Sequence, residues 1–461
     1  MPAVTAAHEG RQLGLRVVLA LVGSGSSASA DQFLRLVGRR SLLDNHAVDP
    51  GETGGTADWS ASFRQFGESI GRGSPPAIRE DLAGSGIVLV ETPPVFVGRD
   101  AIEVNGEKLR FRKAVLAIGR SASIEQGNSG EIESLLPEVF VGLNRPPQRL
   151  AILGCGPRAC IWAQALRRFG SEVLLISPER SLLPDENPLA GAVVERQLAL
   201  EGVQMFLGGT AVAVGQTGGQ RMVVVDQEGQ REKHFVDRVF REVATAPDLG
   251  RLQLDKAKVA WDARGIKVNR RLRTTNRRVF AGGGVCGEAF DRPEAALVMA
   301  RLCVHNAFHC FRKRVPRTVI PRYVWTDPEV AEVGITPAEA AAQQIEIDTY
   351  RAEISEVATS RLAGRAEGFL VIYTRHGTAR ILGGVAVAEC ATELIGTVGL
   401  LMAQRISLDA LAESAACLPS RLEVLALMGD YYRRNRPRSR WQIMGTKLHG
   451  RWKRLWRSVS A

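Results

Sequence analysis

Cysteine is scarce in this sequence, and the first 154 residues contain none. The seven cysteines present are an odd number, which argues against a disulfide framework and fits a reducing compartment such as the cytoplasm. Long hydrophobic runs are also lacking, since no apolar stretch reaches the roughly 18 residues that a membrane-spanning helix needs. With 45% hydrophobic and 24% charged residues, the composition excludes a disordered or fibrous chain. It predicts a globular protein of about two to four domains.

Acidic residues are absent from the last 31 residues, 431–461, which hold ten lysines and arginines. The formal net charge of the chain is +11, so the first 430 residues carry 50 basic against 49 acidic side chains. The total charge therefore gives no reason to expect a nucleic-acid groove in the body of the protein. The tail itself contains no motif that reads nucleic acid, so no specific nucleic-acid partner is expected.

The apolar residues of this tail are spaced three or four apart, a pattern that predicts an amphipathic helix with basic residues on its other side. These apolar positions are Trp441, Met444, Leu448, Trp452, Leu455 and Val459. Such a helix either lies in the headgroup layer of an anionic membrane or packs on the body of the protein with its charges in water. The first interpretation places a cytoplasmic protein on the inner face of the membrane. Both interpretations stay open.

A first βαβ pattern lies near the N-terminus. Val17–Val22 is typical of a buried parallel strand, and the glycine-rich turn after it precedes a predicted helix. An alternative is a signal peptide, in which Arg11 and Arg16 precede a short apolar stretch, although about seven apolar residues is the lower limit for one. In the strand interpretation, the residues that would approach a dinucleotide are Gly23, Gly25, Ala28 and, at its ribose, Asp44.

A second βαβ pattern is more complete. Arg149–Leu153 and Glu172–Ile176 are predicted as strands with a helix between them. In the turn after the first strand, Gly154 permits a tight bend, Gly156 allows backbone amides to approach a pyrophosphate, and Ala159 lets helix and strand pack closely. Strand, turn, helix and strand in this order predict a second dinucleotide-binding fold.

Two dinucleotide folds in tandem suggest electron transfer between a flavin and a nicotinamide. Four further segments carry a family resemblance: Ala101–Gly119, Arg273–Gly287, Tyr323–Gly334 and Ile381–Ile395. The chain resembles the flavoprotein pyridine nucleotide–disulfide oxidoreductases, in particular the branch of mercuric reductase and dihydrolipoyl dehydrogenase. The likeness is weakest in the first 60 residues.

The resemblance implies an α/β protein with two Rossmann-like dinucleotide-binding domains, for FAD and NAD(P), and a C-terminal α+β dimerisation domain. The expected boundaries are 1–147 with 266–315 for the FAD-binding-like domain, 148–265 for the NAD(P)-binding domain, 316–430 for the dimerisation domain and 431–461 for the tail. It also implies a homodimer. In the family's reaction reduced nicotinamide passes hydride to flavin, the flavin reduces a CxxxxC disulfide, and a His–Glu dyad of the partner subunit handles thiol protons.

The residues that would perform this reaction are missing. In the family pattern, Ala57 and Ser62 stand at the two cysteine positions and Ala416 at the histidine position, while Glu423 is retained. No cysteine precedes Cys155, so the conclusion does not depend on the alignment. A thiolate is the nucleophile of this chemistry, and neither a methyl nor a hydroxyl group replaces it. The sequence therefore offers no catalytic residues for dithiol chemistry.

The FAD positions are partly changed. Gly119 and Gly283 match the family pattern, but Gly284 replaces the aspartate that contacts the ribityl chain of the flavin. Loss of one hydrogen-bonded acidic contact costs about 1.5–3 kcal/mol of binding free energy. FAD is therefore expected to bind weakly, and the substitution Gly284→Asp is expected to tighten it.

The nicotinamide positions are changed as well. In the family pattern, Ile161 replaces the glutamate beside the flavin ring, and Ser177 replaces the acid that holds the adenosine ribose. With Arg180 nearby, Ser177 favours NADP at least as much as NAD. His305 and His309, on one predicted helix, have the spacing of metal ligands, but no third ligand is close in sequence, so packing is favoured and no metal is expected.

We therefore expect a degenerate member of this family, a nucleotide-binding homodimer that has lost dithiol chemistry and serves as a binding, sensing or scaffolding protein. The alternative is a residual flavoenzyme that oxidises NAD(P)H and passes electrons to oxygen, a quinone or another small acceptor. A working dithiol reductase is disfavoured because its nucleophile is absent.

The purified protein with NADH or NADPH is expected to reduce neither lipoamide-type disulfides nor mercuric ion above a control without protein, because the thiol pair that carries the electrons is absent. Loss of NAD(P)H absorbance with each acceptor measures this. Turnover that persists after replacement of all seven cysteines would contradict the mechanism. Turnover lost on a single replacement, such as Cys155→Ser, would show that the thiol has moved.

Overall fold

The computed structural model describes residues 2–13, 17–20, 84–90, 92–122, 132–135, 139–140, 143, 145–218, 220–243, 245–315, 320–413 and 419–435. The chain divides into two compact units, one of residues 1–331 with 389–391 and one of residues 332–388 with 392–461. Several predicted positions lie outside the described residues: Gly23, Gly25, Ala28, Asp44, Ala57, Ser62, Ala416 and the tail beyond Asn435.

The first unit begins with helix α1 (Pro2–Gln12). Its first strands are β1 (Val18–Ala20), β2 (Val88–Val90), β3 (Val95–Gly98), β4 (Ala101–Val104), β5 (Glu107–Arg110), β6 (Ala114–Leu116), β7 (Ser121–Ala122) and β8 (Glu133–Ser134). β1 and β2 pair in parallel, as expected for the first strand of a dinucleotide fold. β3, β4 and β5 form an antiparallel sheet.

The predicted second dinucleotide fold follows. Its elements are β9 (Arg149–Leu153), α2 (Pro157–Arg168), β10 (Glu172–Ser177), α3 (Pro188–Leu200), β11 (Gln204–Leu207), β12 (Thr210–Thr217), β13 (Gln220–Gln227), β14 (Gln230–Val236), β15 (Arg238–Arg241) and β16 (Thr245–Ala246). The order β11-β10-β9-β15-β8 forms a five-stranded parallel sheet, and β12, β13 and β14 form an antiparallel one.

The centre of this parallel sheet is fully buried. In β9, Leu150, Ala151 and Ile152 have no exposed surface, because a parallel strand is covered on both faces. On α2, Trp162 stacks on Phe140 with a centroid distance of 3.9 Å. Phe140 in turn lies 4.7 Å from the ring of Phe240 on β15, so this aromatic stack connects α2 with the parallel sheet.

The chain then returns through β17 (Trp261–Asp262), β18 (Gly265–Ile266), β19 (Val279–Ala281), α4 (Pro293–Phe308) and β20 (Arg322–Val324). β19 pairs in parallel with β6. The turn after β19 requires glycine at position 283, where φ is 82° and an added Cβ would lie 3.1 Å from the Cβ of Ala296. α1 packs beside α4, with Glu9 and Arg301 3.5 Å apart.

The second unit is an antiparallel sheet with helices. From the junction onward the elements are β21 (Glu329–Gly334), α5 (Pro337–Ala342), β22 (Ile347–Glu353), α6 (Ala358–Leu362), β23 (Phe369–Arg375), β24 (Ile381–Ala388), α7 (Ala391–Ala403), α8 (Leu408–Leu411) and α9 (Glu423–Asn435). The strand order is β21-β24-β23-β22. Thr336 and Glu339 start α5 with a reciprocal capping box.

Helix α9 continues beyond the expected start of the tail at residue 431. Tyr432 is 2% exposed and lies 5.4 Å from the ring of Tyr350, while Arg433 pairs with Glu413 at 2.6 Å. Residues 431–435 therefore belong to a packed helix rather than to a separate tail. No helix in the described part of the chain combines the length and apolarity needed to cross a membrane.

Candidate functional site

The turn after β9 has the geometry predicted from its glycines. Gly154 has a φ of 140°, a conformation that favours glycine, and its amide donates to the carbonyl of Ile176 at 2.9 Å. Gly156 is extended and precedes Pro157, the first residue of α2. The amides of the first turn of a helix have no partner within the helix. In a dinucleotide fold they bind the pyrophosphate.

In this chain those amides bind a carboxylate of the protein itself. Glu242 accepts hydrogen bonds from the amide of Gly156 at 2.9 Å, from that of Arg158 at 3.0 Å and from that of Ala159 at 3.4 Å. The amide of Glu242 donates to the carbonyl of Leu153 at 2.9 Å. β15 lies beside β9 in the parallel sheet, so the residue after β15 stands at the edge where the turn opens.

The carboxylate of Glu242 lies directly against the turn. A Cβ added to Gly156 would be 2.7 Å from Oε2 of Glu242, and one added to Gly154 would be 2.8 Å from its Cβ. Burial raises the pKa of Glu242, while the amides of Gly156, Ala159 and Arg158 and the charge of Arg158 act in the opposite direction. A pyrophosphate at this turn would be repelled by the carboxylate of Glu242. The amides that would bind it already donate to that carboxylate. With Glu242 in place, the residues do not fit NAD(P).

Sequence reasoning missed Glu242 because it lies outside the motifs that define the fold. Residues 238–241 carry no strand prediction, so nothing in the sequence placed this acidic residue beside the turn. Carboxyl ends of neighbouring parallel strands meet at one edge of a sheet, where ligands bind.

The other predicted nicotinamide residues do not form a site together. Ser177 is 1% exposed, and its hydroxyl accepts a hydrogen bond from the amide of Glu179 at 3.2 Å. Its hydroxyl is therefore not presented to solvent, whereas Arg180 is exposed. Ile161 lies on the buried side of α2 and is 3% exposed.

On the FAD side, exposed Gly119 precedes a partly buried cluster of Arg120, Thr245 and Asp291. The Nε of Arg120 donates to the hydroxyl of Thr245 at 3.1 Å, and that hydroxyl donates to Asp291 at 3.1 Å. Arg120 also donates to the carbonyl of Thr245 and, at 3.4 Å, to that of Gly284. Burial raises the pKa of Asp291, while Thr245 and the charges of Arg120 and Arg158 lower it.

This cluster fills the space in front of Gly284. A Cβ added there would collide with Oδ1 of Asp291 and lie 3.1 Å from Cγ of Arg120. A side chain at position 284 must therefore displace Asp291 or Arg120, a cost that the sequence alone did not indicate. The substitution would press a second carboxyl group against Asp291, which already places a carboxylate close to where the family's aspartate would project.

Four of the cysteines have thiols that burial keeps protonated. Burial raises the pKa of Cys155, and it raises those of Cys160 and Cys303 well above the usual thiol value. Burial also raises the pKa of Cys286 to about 12. None of these four side chains is a thiolate near neutral pH, so none replaces the missing redox pair.

The retained acid of the family's dyad is Glu423. Glu423 is the first residue of α9, and its buried Oε2 has no hydrogen-bond partner among the described residues. In the family pattern this carboxylate would hold the histidine that Ala416 replaces. An acceptor that has lost its donor agrees with that substitution.

The two histidines predicted to lie on one helix stack their rings on each other. The rings of His305 and His309 lie 4.4 Å apart, and Nε2 of His305 lies 2.9 Å from the carbonyl oxygen of Phe311. Across the described ranges, no three His, Cys, Asp or Glu side chains come together as a metal site.

Comparison with known proteins identifies the class. The chain is an α/β protein with two dinucleotide-binding domains and a C-terminal dimerisation domain, as the sequence predicted. Its residues 3–302 match the pyridine nucleotide-disulphide oxidoreductase family, and residues 320–428 match the dimerisation domain of that family. Since the first match covers more than half of the chain, the protein belongs to the pyridine nucleotide-disulphide oxidoreductase family, which depends on FAD and a pyridine nucleotide.

Among its relatives, the chain is 24% identical to mercuric reductase of Staphylococcus aureus over 334 residues, 72% of this chain and 61% of that protein. It is 25% identical to dihydrolipoyl dehydrogenase of Chlamydia trachomatis over 366 residues, 76% of each. The matches span 61%, 60% and 53% of the length of three mercuric reductases.

Two solved structures share the fold. LpdA of Mycobacterium tuberculosis superposes with a TM-score of 0.80 at 20% identity, covering 95% of this chain and 97% of that one. The HOCl-induced flavoprotein disulfide reductase RclA of Escherichia coli gives 0.78 at 19% identity, covering 94% and 98%.

The Arg120–Thr245–Asp291 cluster makes a prediction about position 284. Gly284→Asp is expected to lower the free energy of unfolding by about 1–3 kcal/mol, because a side chain must enter a filled space beside a like charge. The double variant Gly284→Asp with Asp291→Ala again has a single carboxylate in the cluster. It is expected to recover part of the lost free energy of unfolding. Urea unfolding and the flavin content per chain measure both effects.

Gly284→Asn is the matched control, since it has nearly the same size without the charge. If Gly284→Asp is as stable as the unmodified chain and binds more FAD, Asp291 does not fill the space as described.

Proposed function

We propose that this protein is a family member that has lost dithiol chemistry. In its second dinucleotide fold, the carboxylate of Glu242 takes the place of the nucleotide's pyrophosphate. The chain serves as a homodimeric binding, sensing or scaffolding protein. The observation that carries the proposal is the triple hydrogen bond between Glu242 and the amides that would bind a pyrophosphate. Glu242 occupies the position of the pyrophosphate. NAD(P)H therefore has no binding site from which to deliver hydride while Glu242 stays in this position.

Three further observations support this proposal. No cysteine stands at the family's two positions, where the sequence has Ala57 and Ser62. Burial keeps the described thiols of Cys155, Cys160, Cys286 and Cys303 protonated, and Glu423 has a carboxylate oxygen with no partner among the described residues. The match to the dimerisation domain supports a homodimer. The boundaries 1–147 with 266–315, 148–265 and 316–430 remain our proposal for its three domains.

A second candidate function is a residual flavin-dependent NAD(P)H oxidoreductase. One observation favours it: the carboxylate of Asp291 lies in front of Gly284, where the family's aspartate would contact the flavin. FAD would then be held by the turns at Gly119 and Gly283 and by Asp291, and would supply electron transfer when bound. This function also requires Glu242 to leave the turn, so we rank it second.

Replacement of Glu242 tests the proposal. Glu242→Ala is expected to increase the affinity for NADPH or NADH about 10- to 100-fold, because it frees the amides and removes an anion from the pyrophosphate position. Glu242→Gln keeps the shape and an acceptor oxygen, so a smaller gain is expected. Titration calorimetry with both nucleotides measures the change and shows whether Arg180 favours NADPH.

Glu172→Ala is the matched control. It removes the same charge at the opposite end of the sheet, where Glu172 pairs only loosely with Arg149 at 3.7 Å, and is expected to leave nucleotide binding unchanged. Equal affinities of the unmodified chain and Glu242→Ala for NADPH and NADH would contradict the proposal.

The pH dependence of stability has a defined sign. Since burial raises the pKa of Glu242 in the folded state, the folded protein holds this proton more tightly than the unfolded chain. Relative to Glu242→Gln, the stability of the unmodified chain is expected to rise as the pH falls through the raised pKa and to level off below the ordinary glutamate pKa. Unfolding in urea at several pH values measures this difference.

We further propose that the protein is cytoplasmic and that residues 436–461 dock on the anionic inner face of the membrane. The full chain is then expected to float with vesicles that contain anionic lipid. A chain ending at Asn435, which keeps the packed residues of α9, is expected to float less. Equal flotation of both chains would mean that residues 436–461 do not contribute to docking.

A further inference from the structure

Three separate chain segments, 110–113, 270–278 and 312–314, meet on one side of the first unit, and we call them the basic face. The Nζ of Lys113 donates to the carbonyl of Arg277 at 3.2 Å. The side chain of Asn306 donates to the carbonyls of Arg271 at 2.9 Å and Lys313 at 2.8 Å. These hydrogen bonds fix the three segments next to one another.

The basic face is strongly charged although the body of the chain is nearly neutral. Its segments contain eleven arginines and lysines and no acidic residue. Most of these side chains are exposed; Lys113 and Arg273 are partly buried. Throughout the ranges that the structure describes, none of the eleven forms an ion pair. No described carboxylate therefore lies within ion-pair distance of these side chains.

The electrostatic effect of this clustering is visible at Lys113. Burial lowers the pKa of Lys113, and the charges of Arg312, Arg278, Arg273 and Arg112 lower it further. Like charges held together without a counter-charge create a positive potential that attracts an anionic surface.

An exposed aromatic side chain stands beside these charges. Phe311, directly before Arg312, is 90% exposed, and Phe308 at the end of α4 is 38% exposed. A nucleic-acid strand is bound by several aromatic side chains that stack successive bases along a groove. A projecting apolar ring among cations matches instead the boundary between lipid headgroups and acyl chains.

From these observations we infer that the basic face docks on an anionic phospholipid surface, with Phe311 entering the headgroup layer. This site lies in the first unit, is formed by residues outside the C-terminal tail, and does not depend on the proposed function.

The test compares the full chain with variants in binding to vesicles of phosphatidylserine and phosphatidylcholine. Arg277→Glu with Arg312→Glu is expected to weaken partitioning at least about 30-fold, since two attractive charges are lost. Phe311→Ser is expected to weaken it about tenfold. Because the full chain keeps its tail, each loss is measured as a ratio to the unmodified protein, and raising the salt concentration should reduce the effect of the charges.

Arg145→Glu with Lys233→Glu is the matched control. It makes the same change in net charge at two exposed positions outside the basic face, and is expected to reduce partitioning far less. Thermal unfolding checks that each variant is folded; if the double reversal is not, Arg277→Gln with Arg312→Gln replaces it.

Two outcomes would overturn the inference. The first is equal loss of vesicle binding in the basic-face variant and the control, which would mean that only net charge matters. The second is unchanged vesicle binding in the basic-face variant together with lost binding of a single-stranded oligonucleotide, which would assign the face to nucleic acid.

Discussion

The hydrogen bonds between Glu242 and the start of α2 are the interaction on which the second dinucleotide fold depends in this protein. A helix that begins at a glycine-rich turn leaves amide groups that must find an acceptor. The family's fold supplies that acceptor with the ligand, whereas this chain supplies it from the next strand of the same sheet. The fold is thereby complete without a nucleotide, and the positive end of the helix faces a fixed anion.

A similar substitution is found near the flavin position. Gly284 has no side chain, but the space before it holds Asp291, which is bound to Thr245 and lies 3.9 Å from Arg120. In both places a group that a cofactor would contact is bound instead by the chain. Such internal pairs stabilise the fold without the help of a ligand, because buried donors and acceptors remain satisfied.

The sequence predicted the scaffold better than the site, and the reasons are physical. β9 and the strand after α2 could be recognised because buried parallel strands are continuous apolar runs and because glycine marks the turn between β9 and α2. Glu242 could not, because it binds the turn across 86 residues of sequence and belongs to no local pattern. Asp291 was missed for the same reason, so the change at Gly284 suggested a simple loss. Ser177 was assigned to a ligand from its position alone, and only the structure shows that its hydroxyl is buried.

The glycines of the turn have a consequence for how such sequences are classified. A side chain at Gly154 or Gly156 would collide with Glu242, so the internal carboxylate demands the same small residues that a bound nucleotide demands. Selection for folding alone can therefore preserve this fingerprint, whether or not a nucleotide binds. In genome surveys, the residue at the position of Glu242 would distinguish motifs whose turn can bind a nucleotide from motifs whose turn binds a carboxylate of the protein. The glycines cannot make this distinction.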